Sequence, residues 1–322
     1  MTSRISGILA GFLGLCLLAA LAQQTVSLVD AVRGWSMAGD FAMAEKGLAQ
    51  FRAAHGITPE YLQALSWVGR NRLARHQPAE AEKNAAEVMN LSVAQLTHRK
   101  LDAEPLLPLA LGAGIEVQAQ AVAAENRRDE AVLFLNEELK KYGATSMHDR
   151  LQKNLNLLTL EGKPAPVLDI SHGVGAIKPL PLSAHRGHPV LLFLWAHWCS
   201  DCKNEIDIVK KLEKNYGPRG LVVVAPTQHY GYVAGGQDAA PAVETKYIGE
   251  VFTKYYSTLG PVEVPLSESN FAKLGVSTTP TMVVIDGQGI VRLYNPGNAT
   301  YETLAAKIEA ALRAPVRISR KG

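Results

Sequence analysis

Cysteine is nearly missing from this chain: three residues in 322. A closed tetrahedral thiolate site needs more sulfurs than that, which excludes a zinc centre built from cysteine alone. An excess of one charge sign is missing as well. Lysine and arginine total 33 against 30 aspartates and glutamates, a net +3, and Arg4 is the only charge in the first 22 residues. The remaining charges are scattered rather than blocked, too weak a field to make nucleic acid an expected partner. Beyond the N-terminus no second long hydrophobic stretch stands out, so no further membrane span is expected. What is present is 47% apolar residues at a mean hydropathy near zero (+0.01). That describes a soluble globular protein with ample core, long enough for two domains at about 100–200 residues each.

The first residues carry an address. Arg4 makes a short positive start, residues 8–21 an apolar core, and Ala20-Leu21-Ala22 a small-x-small cleavage site before Gln23. Residues 1–22 therefore read as a signal peptide, and the expected location is extracytoplasmic, a bacterial periplasm. Membrane association is expected only if this segment stays uncleaved. Cys16 follows Leu15, where lipoprotein processing needs a small residue, so lipid attachment is not expected. Once Cys16 leaves with the signal peptide, Cys199 and Cys202 are the sole cysteines. Such a pair in an exported chain points to chemistry, because one short loop closure adds little to the stability of so large a protein.

The pair lies in Trp198-Cys199-Ser200-Asp201-Cys202, directly after the apolar run 189–195. That run has the length and β-branched and aromatic content of a buried strand. Residues 203–215 then read as a helix, with Ile206, Val209 and Leu212 at spacings of three. Two cysteines at a strand-to-helix junction meet unpaired N–H groups and the positive end of the helix dipole, which favour a thiolate. Cys199 is expected at the exposed start of the helix and Cys202 shielded one turn in. Cys-x-x-Cys in this setting is the redox motif of thioredoxin-like proteins. Half of a zinc site and a plain structural disulfide remain alternatives.

Residues 23–158 read as helix after helix: 40–54, one opened by Thr58-Pro59-Glu60, one starting at Pro78, then 108–126, 129–141, and a last one striped by Met147, Leu151, Leu155 and Leu158. Short phrases recur at turn-to-helix junctions, around Ala44, Ala81 and Ala131. They resemble degenerate tetratricopeptide hairpins, although offsets of 37 and 50 residues depart from a period of about 34. Such a domain implies a protein partner or self-association, with a helical spacer as the alternative. His76, His98 and His148 read as solvated surface.

Gly162-Lys163-Pro164-Ala165-Pro166 breaks the helical pattern, with 159–166 as linker and 162–315 as the second domain. Residues 167–183 are expected to include short edge strands, 220–225 a second buried strand, and 241–257 a helix. A further strand is expected at 262–266, limited in its pairing by Pro265. Residues 281–285 and 290–294 flank Asp286-Gly287-Gln288-Gly289 as a hairpin, and 301–312 close with a helix. The expected fold is multidomain: an all-α helical-hairpin region followed by an α/β domain.

The second half resembles the TlpA-like branch of the thioredoxin superfamily, exported thiol–disulfide oxidoreductases. Gly162 to Pro166, Gly187-His188-Pro189-Val190, Phe193 to Cys199, Gly275-Val276-Ser277-Thr278-Thr279-Pro280-Thr281 and Ile285-Asp286 carry that resemblance. It implies Cys199 as the attacking and Cys202 as the resolving cysteine, and Pro280 as the cis-proline facing them. Thr279 would offer backbone groups to an extended substrate strand, with Trp198 beside it. Glu205, three residues after Cys202 on the same helix face, matches an acid that can take the proton of Cys202. A solvated helix glutamate is the alternative. Asp201, His197 and Asp207 depart from the family pattern; Asp201 and His197 lie close enough to tune Cys199. The longer stretch 226–236 leaves the carboxyl end of a strand, where α/β sheets carry ligand sites, so Tyr230 and Tyr232 could line the substrate groove. An inert insertion is the other reading.

The expected partners are protein thiols and disulfides with an upstream redox partner, and no cofactor is needed beyond the Cys199–Cys202 disulfide. Three competing functions use the same residues. A peroxiredoxin-like peroxidase has a threonine three residues before its reactive cysteine, where this chain has Ala196. A metal site could combine Cys199 and Cys202 with His197, His185 or His188. A non-enzymic helical adaptor would make no use of the cysteines.

Overall fold

The structure is a computed structural model that describes residues 26–313. The expected signal peptide, 1–22, lies outside the described residues.

Seven helices come first: α1 (Leu28–Ala38), α2 (Phe41–His55), α3 (Pro59–Ala74), α4 (Pro78–Gln95), α5 (Leu106–Ala124), α6 (Arg128–Tyr142) and α7 (His148–Thr159). Local chemistry sets their ends. Ser27, Asp40 and Thr58 each accept a hydrogen bond from a first-turn N–H, Pro59 and Pro78 stand at helix starts, and Gly39 closes α1 in the left-handed region. Helices α1, α3, α5 and α7 pack in succession, while α2, α4 and α6 each bridge the two around them.

One sequence expectation is corrected here. A second segment long and apolar enough to cross a membrane does exist: α5. It is a core helix instead, because it packs against α3, α4, α6 and α7 and is buried around most of its circumference, with Leu107, Leu111 and Ile115 on one face and Ala110, Gly112 and Ala113 on the others.

The second region is built on a four-stranded sheet in the order β2-β1-β3-β4: β1 (Val190–Leu194), β2 (Val222–Val224), β3 (Thr281–Ile285) and β4 (Val291–Pro296). Strand β1 runs parallel to β2 and antiparallel to β3, and β3 runs antiparallel to β4. Strand β1 is apolar at every position because both its faces are covered. Leu191 and Phe193 join a core with α8 (Ser200–Tyr216), α9 (Pro241–Tyr256) and α11 (Tyr301–Arg313). Val190, Leu192 and Leu194 join a second core with α10 (Glu268–Leu274).

The strands expected in 167–183 and at 262–266 are reduced to isolated bridges. Glu263 and Leu266 pair with Val224 and Thr227, and Gly173 pairs with Pro265. Pro265 has no N–H to extend the ladder. Helix α10 was not expected; Ser267 before it and the left-handed Gly275 after it were the signals that could have shown it.

The two regions share a packed surface. Residues 162–165 run along β4, with Gly162 N–H donating to Val291 O at 2.8 Å and Ala165 N–H to Gly289 O at 2.9 Å. Leu160 belongs to the core that holds Phe271, Leu274, Val276 and Tyr294. Helix α7 packs on α10, and Gly275, at φ +61°, lies so close that a Cβ would run into the backbone of Gln152 and Lys153.

Candidate active site

Strand β1 delivers the chain into the cysteine motif through Trp195. Its ring is buried against Phe252 and Tyr256, and its Nε1 donates to Ala225 O at 3.0 Å. Thr227 Oγ1 donates to Trp195 O at 2.9 Å. With both backbone and ring held, the next four residues can only turn towards α8.

Cys199 occupies the N-cap position of α8, and its Sγ accepts from the Cys202 N–H at 2.9 Å. The two cysteines form a disulfide with Cα atoms 5.3 Å apart. The helix start leaves N–H groups directed at Cys199, the arrangement that stabilises a thiolate once the disulfide opens. Cys202 is fully buried as expected, but Cys199 is only 3% exposed rather than open to solvent. Its side chain has joined the core beside Ala196 and Cys202, and the exposed residues of the motif are Trp198, at 48%, Ser200 and Asp201.

Glu205 sits one turn beyond Cys202, buried. Its Oε1 accepts from Ala299 N–H at 3.1 Å, while Oε2 is buried without a partner. Burial raises its pKa above the usual carboxylate range; the Ala299 bond opposes this, and the charge of Asp201 adds to it. Asp201 itself is exposed in the first turn of α8, and Asp207 is exposed with Lys210 3.4 Å away.

Strand β3 begins beside the motif because Thr281 pairs with Leu194, the last residue of β1. The Thr279–Pro280 bond just before it is cis, with Pro280 buried and Thr279 partly exposed.

His197 and the 226–236 stretch meet in a partly buried network. His197 Nε2 lies 3.2 Å from Glu244 Oε1 on α9. Glu244 also accepts from Tyr230 N–H at 2.6 Å and from Gly231 N–H at 2.9 Å. Tyr230, Tyr232 and Tyr247 set their rings edge-on around His197, with centroids 5.5, 5.3 and 5.3 Å away. Burial lowers the His197 pKa, and Glu244 acts in the opposite direction. Tyr230 also meets Trp198 edge-on at 5.5 Å, and burial raises its hydroxyl pKa.

The structure thus brings Cys199, Cys202, Glu205, His197, Trp198, Tyr230 and Tyr232 to one end of the sheet. His185 and His188 precede β1 at the other end, where His185 lies 3.3 Å from Glu263. Among the described residues no three His, Cys, Asp or Glu side chains gather as a metal site. Sequence reasoning missed Glu244 and Tyr247. Nothing in α9 marks Glu244 as buried, since its partners are far away in the chain.

Residues 182–312 match the family model of a thioredoxin-like domain. The chain is 26% identical over 149 residues to the thioredoxin-like protein YneN of Bacillus subtilis, covering 46% of this chain and 79% of that protein. It is 27% identical over 143 residues to the thiol-disulfide oxidoreductase ResA of Bacillus anthracis, covering 44% and 73%. It is 28% identical over 133 residues to the thiol:disulfide interchange protein DsbE of Pseudomonas aeruginosa, covering 41% and 64%. Each match spans less than half of this chain. With their disulfide at the strand-to-helix junction, residues 182–312 form a thioredoxin-like domain, similar to those of the thiol–disulfide oxidoreductases just named.

Proposed function

We propose that this protein is an exported oxidoreductase that exchanges disulfides with protein substrates through Cys199 and Cys202. The observation that carries the reading is the disulfide at the start of α8, with the buried Glu205 one turn further on. In the dithiol form, the Cys199 thiolate attacks one sulfur of a client disulfide. A Cys199–client bond forms and the other client sulfur leaves as a thiolate. Cys202 then gives its proton to Glu205 and attacks Cys199 Sγ, re-forming the 199–202 disulfide and expelling the second client thiolate. Two electrons pass from the protein to the client, and an upstream dithiol partner restores the start. The same steps run backwards oxidise a client.

Trp198, Tyr230 and Tyr232 form the aromatic side of the proposed substrate groove, with Thr279 and Pro280 on the adjoining loop. Asp201 and His197 are proposed to tune the pair. The N-terminal pattern around Arg4 and Ala20-Leu21-Ala22 supports export, and the helical region is proposed as a tetratricopeptide-like partner-binding domain.

The test is a Cys202→Ser protein made in cells with its N-terminal segment intact. It should accumulate covalent, thiol-reversible complexes with client proteins, because the mixed disulfide loses its resolving sulfur. Cys199→Ser should trap far fewer. Equal trapping by both, or none under oxidising and reducing conditions, sinks the reading.

A further inference from the structure

Cations on α1, α3 and α7 gather around a carboxylate on α5. Arg33 on α1 and Arg70 on α3 each place a guanidinium 4.6 Å from the centroid of the Trp67 ring. On α7, Arg150 Nε and Lys153 Nζ converge on Glu116 Oε2 of α5, at 3.2 and 3.1 Å. The two sets adjoin, because Arg70 feels the charges of Arg150, Glu116 and Arg33. Arg70, Arg150 and Lys153 therefore share the Glu116 carboxylate, with Arg33 beside them across the Trp67 ring. The Arg150 and Lys153 side chains are recessed, 24% and 10% exposed, while Arg33 stands at the exposed rim. Trp67 Nε1, in the same place, is a buried donor without a partner.

Crowding like charges in a partly shielded site is unfavourable unless an anion joins them. Burial foremost, and then Arg150, hold the Arg70 pKa down at about 10, while Glu116 acts in the opposite direction.

The site adjoins the loop that carries Pro280. Arg150 also lines a cleft of about 520 Å³, together with Leu109, Met147, Asp149 and Ser277. Ser277 lies two residues before Thr279 on the loop that carries Pro280. Asp149, the acid of the cleft, is bonded to His148 Nδ1 at 2.9 Å. Leu109 is 43% exposed and offers an apolar contact on the way.

We propose that the face made by α1, α3, α5 and α7 binds an acidic polypeptide segment of the molecule whose disulfide is exchanged at Cys199, its carboxylates meeting Arg33, Arg70, Arg150 and Lys153. This rests on the oxidoreductase reading above and adds the substrate class. Guanidinium forks and a recessed ammonium suit carboxylates, the Trp67 N–H suits a peptide carbonyl, and the cleft leads the bound chain to the Pro280 loop. A flat anionic membrane would reach Arg33 but not cations recessed as far as Lys153.

The experiment uses the full chain in its dithiol form and two synthetic peptides of equal length. Each peptide has one cysteine as a mixed disulfide with 2-mercaptoethanol, flanked by glutamates in one and lysines in the other. At low salt the glutamate peptide should show a KM about tenfold lower, and the gap should close as salt rises. Arg70→Gln should shrink the ratio of the two KM values several-fold. Arg33→Gln, at the rim and easily tolerated by the fold, should shrink it as well. Equal KM values at low salt overturn the inference. A serine version of the glutamate peptide should bind and change Trp67 fluorescence, a signal lost in Trp67→Phe. Such binding without any exchange would keep the acidic site and refute the oxidoreductase reading. Sedimentation with phosphatidylglycerol vesicles, abolished by Arg70→Gln and accompanied by no peptide preference, overturns it in favour of a membrane surface.

Discussion

Glu244 Oε1 stands 3.2 Å from His197 Nε2, with both side chains 1% exposed. The contact ties the residue two before Cys199 to a helix 47 positions away. Because Glu244 also holds the N–H groups of Tyr230 and Gly231, one carboxylate joins the cysteine loop to the aromatic loop beside it. Glu244→Ala leaves the buried His197 ring and the N–H groups of Tyr230 and Gly231 without their partner and should destabilise the protein by about 2–4 kcal/mol, read by urea unfolding. Glu244→Gln keeps acceptor capacity on one side and should cost less, about 1–3 kcal/mol. Equal stability of wild type and both variants would show that the network holds nothing in place.

The lowered pKa of His197 has a pH consequence. In the folded state the imidazole stays neutral to a lower pH than in the unfolded chain, where it takes a proton near about 6.5. Its contribution to stability is therefore intact above that value and is lost as pH falls below it, because the unfolded state binds the extra proton. Urea midpoints of wild type and His197→Gln, followed from neutral pH downwards, should converge on acidification. Parallel curves would assign the acid sensitivity to other groups.

Glu205 has the opposite sign. Its folded pKa is raised, so it disfavours the folded state above that pKa, and the penalty is relieved as pH falls through it. Glu205→Gln retains an oxygen for the Ala299 N–H and removes the buried charge. The variant should match or exceed wild-type stability at neutral pH, yet exchange disulfides about tenfold or more slowly, with a flattened pH–rate profile. Stopped-flow exchange across pH checks this, and unchanged rates and profile would reduce Glu205 to a structural residue.

Gly275 reports on the docking of the two regions. Its positive φ and its approach to the Gln152–Lys153 backbone leave no space for a methyl group. Gly275→Ala should cost about 2–4 kcal/mol, from left-handed strain and displacement of α7. Thermal unfolding measures the loss, and limited proteolysis should show new cleavage between residues 159 and 166. Wild-type stability in the variant would mean that α7 does not rest on α10 in solution.

Local pattern determined a large part of this protein. The apolar run of β1, the helix after it, the Cys-x-x-Cys at their junction and the hairpin around Asp286-Gly287 are all legible from spacing and turn chemistry, because each depends on near neighbours in the chain. Helix bounds in the first half follow from caps and prolines for the same reason. The sequence also placed Cys202 and Glu205 on one helix face. Tertiary structure alone decided the rest. Whether α5 is a span or a core helix depends on what packs around it, and four neighbouring helices settle that. The burial of Cys199, the pairing of His197 with Glu244, and the meeting of Arg33, Arg70, Arg150 and Lys153 join residues tens of positions apart. Side-chain partners at such separations leave no periodic trace. Their distances and burial, and hence their pKa values, exist only once the sheet and helices have packed.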